Sequence, residues 1–132
     1  MTNKKMFDLK NKIAIVTGGT SYLGISMVEA LAEAGAYVYL TSRTTEKAQK
    51  TVKILNRKGL EKINGTTLDI LDKDSIKQCF KKISKIHGGI DILVNNASYM
   101  TTGKLENVTE ENWNEGINGT INGVFRTTQE VI

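Results

Sequence analysis

The chain has 132 residues, 39% of them hydrophobic, a formal net charge of +4 and one cysteine, Cys79. That length suits a single domain with a real core, and a lone cysteine excludes an internal disulfide, which fits a reducing compartment. The basic start, Met1 to Lys5, precedes no long apolar stretch, so neither a signal peptide nor a membrane span is expected and the chain reads as soluble and cytoplasmic.

A short apolar run predicts a first strand over 12–17, and a turn bearing Gly18 and Gly24 then opens a helix over 22–34. Leu23, Met27, Ala30, Leu31 and Ala34 share one face of that helix, and Gly35 suits a left-handed cap. Tyr37 to Leu40 is the second strand. Thr44 or Thr45 can cap the next helix, which carries Ala48, Val52 and Leu55 at helical spacing and ends at Gly59. A third strand is predicted over 63–68. Asp72 or Asp74 caps a third helix with Ile76, Cys79, Phe80, Ile83 and Ile86 inward, and Gly88 and Gly89 end it. Ile90 to Val94, largely apolar, reads as a central parallel strand. After a polar loop, Thr109 caps a long helix expected to turn Trp113, Ile117, Ile121, Val124 or Phe125, and Thr128 inward.

Four strands alternating with four helices, joined by right-handed crossovers, give an α/β doubly wound parallel sheet of order 3-2-1-4. In that order the first and fourth strands are neighbours at the switch point, where ligands bind beyond the carboxyl ends of strands. The loops 17–24 and 95–98 both leave those ends. Lysines and one arginine crowd the second and third helices (Lys47, Lys50, Lys53, Arg57, Lys58; Lys73, Lys77, Lys81, Lys82, Lys85). Acids and polar residues are interspersed and no aromatics interleave, so these read as solvated faces rather than a nucleic-acid footprint.

The stretch Thr17-Gly18-Gly19-Thr20-Ser21-Tyr22-Leu23-Gly24 has the form of a phosphate-binding turn. Gly18 permits the tight turn and Gly24 permits close helix–strand packing. The N–H groups at the start of the helix would then face a pyrophosphate. At the end of the second strand no acid lies at 38–43; Ser42, Arg43 and Thr44 stand there instead. A carboxylate would suit a ribose 2′-hydroxyl and a guanidinium suits a 2′-phosphate, so NADP(H) is favoured over NAD(H). Asp69, followed by Ile70, can accept from an adenine amino group or cap its own turn. Asn95 and Asn96 can tie strand ends together and contact adenosine, and Ala97 is small enough to let a dinucleotide pass. His87, the lone histidine, lies in the last turn of a helix, where a cap is favoured over catalysis. No Cys/His/carboxylate cluster suggests a metal.

Thr17-Gly18-x-x-x-Tyr22-x-Gly24, Asp69, Asn95-Asn96-Ala97 and the helix running from Trp113 to Gly123-Val124-Phe125 resemble the short-chain dehydrogenase/reductase family in order and spacing. The resemblance implies a Rossmann domain that binds NAD or NADP and moves hydride between nicotinamide and an alcohol or carbonyl. It also implies that the long helix belongs to an oligomer-forming surface. Tyr22 departs from the family's glycine and, held at positive φ, would cost roughly 1–2 kcal/mol. Ser98 departs from the family's final glycine in Asn-Asn-Ala-Gly, and Thr120 stands where the family has a catalytic asparagine, with Asn118 and Asn122 out of register.

The family's Tyr-x-x-x-Lys pair does not occur in these residues, so no catalytic residue is assigned. The expectation is therefore a single Rossmann-type domain, cut short at its C-terminus, whose fourth strand has an open edge. It is either the cofactor-binding part of an oxidoreductase or an inactive nucleotide- or partner-binding relative.

Overall fold

The computed structural model describes residues 7–100 and 103–132; the basic segment 1–6 and residues 101–102 of the polar loop lie outside them. The strands are β1 (Ile13–Val16), β2 (Tyr37–Ser42), β3 (Ile63–Thr67) and β4 (Ile92–Val94), all parallel, in the order β3-β2-β1-β4. Between them run α1 (Tyr22–Glu33), α2 (Thr45–Arg57) and α3 (Lys73–His87). A 3-10 turn at Leu105–Asn107 leads into α4 (Glu110–Ile117), which passes through a π-helical turn at Asn118–Asn122 into α5 (Gly123–Val131).

Alternate residues of the sheet build two cores, one on each face. Ala14, Val16, Val38, Leu40 and Ile63 point to the side covered by α1 and α2, where Val28, Ala48, Val52 and Leu55 meet them. Ile15, Tyr39, Leu68 and Ile70 point to the other side, against Ile76, Cys79, Phe80 and Ile83 of α3 and, at its margin, Val131 of α5. This is the doubly wound arrangement expected. Local chemistry sets the element ends: Thr44, Asp72 and Thr109 cap their helices with side-chain oxygens. Gly35, Gly59 and Gly88 turn the chain with φ of 103°, 87° and 82°.

Two helices sit differently from the apolar periodicity. In α1 the buried residues are Gly24 and Val28, while Leu23 is 62% exposed. In the long helix the buried face is Gly119, Gly123 and Thr127; Trp113, Ile121 and Phe125 are 55%, 59% and 61% exposed. The reason is the same in both. A glycine lets the helix backbone lie directly on its neighbour, and the large side chains then flank the contact. A Cβ on Gly24 would run into the Gly18 carbonyl, and one on Gly123 would run into the Ile70 side chain. The π turn adds a residue to its turn and so shifts the register of everything beyond it. Ile86, expected inward on α3, is also exposed.

β4 comprises three residues, Ile92 to Val94, rather than five. Its amino end is fixed by Asp91, whose carboxylate accepts from the Ile13 N–H at 2.8 Å and from Lys12 Nζ at 3.2 Å. Those two bonds, the backbone one foremost, hold the Asp91 pKa below the ordinary carboxylate value.

Candidate functional site

β1 and β4 lie side by side, and the loops leaving their carboxyl ends meet. Thr17, fully buried, is the hub. Its hydroxyl is 3.3 Å from the Val94 carbonyl, to which it donates, and it accepts from the N–H groups of Asn96 at 3.1 Å and Ala97 at 3.0 Å. One donor and two acceptor sites are thus all in use. The Asn96 side-chain amide returns the link, donating to the carbonyls of Thr17 (3.0 Å) and Gly18 (3.1 Å) and to Ser21 Oγ (3.2 Å). The two sequence motifs are therefore one hydrogen-bonded body.

Gly18 makes the turn at φ 63°, with its N–H donating to Thr41 Oγ1 at 3.2 Å. A Cβ there would lie 3.1 Å from the Ala97 Cα. Ser21 then caps α1, accepting from the Gly24 N–H at 3.1 Å. The helix leaves its first N–H groups, at Tyr22 and Leu23, without intrahelical acceptors, and no acid stands in its first turn to repel an anion. That donor set suits a phosphate. Thr20 lies half-buried beside it. Tyr22 opens the helix in right-handed conformation, not at positive φ, so the strain reckoned for a tyrosine there does not arise; its side chain is 89% exposed.

The carboxyl end of β2 is more exposed. Ser42 closes β2 and is buried, Arg43 is exposed, and Thr44 Oγ1 accepts from the Lys47 N–H as the cap of α2. Asp69 is half-buried; its Oδ1 accepts from the Leu71 N–H at 3.0 Å, the local turn that was one of its two expected uses. Ile70 is buried against Gly123. Asn95 reaches the other way, to the long helix: its Oδ1 lies 2.6 Å from the Thr127 hydroxyl and its amide donates to Thr128 Oγ1 at 3.2 Å. Tyr99 donates to Glu115 at 2.9 Å, and that carboxylate raises the phenol's pKa, while the cation of Arg43 works in the opposite sense.

Thr120 donates to the Tyr99 carbonyl at 3.0 Å from within the π turn. Asn118 does not approach that position: it accepts from Arg126 at 2.9 Å and donates to the Leu71 carbonyl at 3.4 Å. His87, expected as a helix cap, instead places Nε2 2.9 Å from the Tyr39 hydroxyl, with the Tyr37 ring 5.0 Å away. Cys79 is buried, which pushes its thiol up to about 11 and keeps it unreactive. Among the described residues no group of three His, Cys, Asp or Glu side chains could hold a metal, and no helix is long and apolar enough to cross a membrane. Sequence reading passed over Gly19, whose Cβ would lie 2.7 Å from the Leu40 Cβ, and Thr41. A threonine directly after the apolar run of β2 was the available signal for Thr41.

A family model described as short chain dehydrogenase matches residues 12–132. The 3-oxoacyl-acyl-carrier-protein reductase FabG of Thermotoga maritima is 34% identical over 125 residues, covering 94% of this chain and 50% of that protein. The crystal structure of gox2181 superposes with a TM-score of 0.91 at 32% identity, covering 99% of this chain and 51% of that one. An actinorhodin polyketide ketoreductase variant solved with NADPH superposes at 0.84 and 28% identity, covering 99% and 48%. The chain spans about half the length of the curated relatives it matches.

Proposed function

The chain belongs to the short-chain dehydrogenase/reductase family, and from that premise we propose that it holds the cofactor of an NAD(P)-dependent oxidoreductase acting on an alcohol or carbonyl. The observation that carries the reading is the junction of Thr17 and Asn96, which joins the glycine turn to the β4 loop and leaves the start of α1 open. In this reading Thr17, Gly18, Thr20, Ser21, Tyr22, Leu23 and Gly24 form the pyrophosphate wall. Ser42, Arg43 and Thr44 meet the adenosine ribose. Asp69 and Ile70 meet the adenine, and Asn95, Asn96 and Ala97 form the floor between the strands.

The nicotinamide of such a cofactor supplies or accepts the hydride. These residues do the rest of the binding work: helix N–H groups receive phosphate oxygens, and the Asn96 bonds keep the floor from shifting as the ligand enters. No tyrosine among residues 1–132 precedes a lysine by four, so no proton-transfer role is placed on any of them. The exposed Arg43, with no acid at 38–43, supports NADP(H) over NAD(H). We place the protein in the cytoplasm, with residues 1–132 forming one Rossmann-type domain able to pair with further copies along its long helix. Direct titration with NADPH and NADH tests the reading: tighter binding of NADPH is expected, equal binding sinks the preference, and binding of neither sinks the site.

A further inference from the structure

The sheet does not end evenly beside the glycine turn. The ladder between β1 and β2 stops at Val16 and Leu40. β2 runs on through Thr41 and Ser42, held from its other side by the ladder to Thr66 and Thr67 of β3. Thr41 is thus anchored by its own backbone, and it is fully buried. Its Oγ1 accepts from the Gly18 N–H at 3.2 Å. That N–H belongs to the residue at φ 63°, where the chain leaves the sheet. The Gly18 carbonyl is held as well, by the Ser21 N–H at 3.0 Å and the Asn96 amide at 3.1 Å. Those two bonds tie the turn to itself and to the β4 loop, whereas the bond to Thr41 ties it to β2. Leu40 lies against Gly19, where a Cβ would come within 2.7 Å of the Leu40 Cβ. Ser42 and Arg43 follow Thr41 directly.

We infer that Thr41 is a positioning residue: its hydroxyl sets the spacing between the glycine turn and the end of β2, and so the fit of a ligand that spans the two. The inference rests on the dinucleotide reading above and adds to it a buried residue that acts through Gly18. A dinucleotide must meet the turn with its diphosphate and Ser42 and Arg43 with its ribose at the same time. Gly19 against Leu40 sets how near the turn can come to β2, and the bond to Thr41 keeps it from lifting away. Without the hydroxyl the Gly18 N–H loses its acceptor, and the turn can shift against the ribose end. Such a shift weakens binding even where every residue that meets the ligand is intact. The diphosphate is common to NADPH and NADH, so the loss falls on both alike.

The test compares Thr41→Val, which keeps the shape and deletes the hydroxyl, with Thr41→Ser, which keeps the hydroxyl and deletes the methyl. Each folded chain is titrated calorimetrically with NADPH and NADH. Far-UV circular dichroism checks the fold, and amide hydrogen exchange followed by NMR reports the Gly18 N–H. Thr41→Val should bind each cofactor that wild type binds about fivefold more weakly, the effect of roughly one hydrogen bond. Its Gly18 amide should exchange faster than in wild type. Thr41→Ser should match wild type within about twofold. A role in packing alone reverses the order, because serine is then the damaging change and valine the harmless one. Wild-type binding by Thr41→Val overturns the inference, as does a Gly18 amide that exchanges there at the wild-type rate. A loss confined to NADPH, when wild type also binds NADH, overturns it too, since the effect then lies at the 2′-phosphate and not at the turn. If Thr41→Val does not fold, Thr41→Ala against Thr41→Ser isolates the same hydroxyl. Failure of the folded wild type to bind either cofactor is a separate result: it removes the dinucleotide reading, and the inference with it.

Discussion

At the β1–β4 junction the side chains of the motif are engaged inside the protein, whereas at the end of β2 the side chain with the most to offer a ligand faces water. Thr17 has all three of its hydrogen-bonding sites in use, and the Asn96 amide serves two carbonyls and a hydroxyl. Arg43, by contrast, is exposed. The junction is hydrogen-bonded within the protein, so its substitutions should register first as stability. On the proposed reading Arg43 at the end of β2 meets the ribose, so its substitution should register as ligand preference. Residues of one crevice are separable by experiment on that basis.

The largest effect should come from Gly24→Val. The new Cβ meets the Gly18 carbonyl, a backbone atom that cannot swing aside. Urea unfolding should show a loss of about 3 kcal/mol, the upper range for overpacking. Tolerance of valine would mean that α1 can lift off β1 and that the junction is looser than its bonds imply. Thr17→Val comes next. The substitution keeps the volume and deletes the hub oxygen. The Asn96 N–H retains the Val94 carbonyl at 3.1 Å, but the Ala97 N–H loses its acceptor. A cost of about 2 kcal/mol is expected for the buried group left unpaired. A valine variant as stable as wild type would show that water replaces the hydroxyl, and the contrast between the two halves would weaken.

Much of this frame was legible in the sequence. Alternating apolar runs and glycine punctuation placed all four strands and their order, and the spacing of Gly18, Gly24 and Asn96 marked the crevice. What escaped was how helices dock. Periodicity weighs large apolar residues and gives glycine no weight, yet α1 and the long helix touch the rest of the chain through Gly24, Gly119 and Gly123. On α1 Met27 and Leu31 pack against the core as expected while Leu23 does not, and on the long helix Trp113 and Ile121, expected inside, lie outside. A π turn cannot be read from a 3.6-residue period at all. His87 escaped for another reason. Its partner Tyr39 is 48 residues away and becomes a neighbour only when the sheet forms.

Arg43→Ala should leave stability within about 0.5 kcal/mol of wild type, as for an exposed side chain. In a titration it should weaken NADPH about tenfold, the loss of roughly one charge-assisted contact, and leave NADH unchanged. Equal weakening of both would move Arg43 from the 2′-phosphate to some part common to the two cofactors. A fall in stability would mean that the ribose half is as tightly built as the junction.

The smallest effect lies at the opposite end of the same strand pair. Asp91 holds the amino ends of β1 and β4 together through the Ile13 N–H and Lys12. Because those bonds lower its pKa in the folded chain, the unfolded chain binds a proton at Asp91 more readily. The carboxylate therefore contributes stability above its unfolded pKa, about 3.9, and that contribution drains away as pH falls through the folded value. Wild type should exceed Asp91→Asn in stability by a small, constant margin at neutral pH, and the margin should close in acid. Lys12 and Asp91 are both solvent-exposed, so salt should screen the ion-pair part while leaving the Ile13 bond in place. A margin that persists unchanged in acid would mean that asparagine loses shape complementarity rather than charge. The amino end would then be fixed by packing, and hydrogen-bonded wiring would be peculiar to the end of the strands where a ligand is expected.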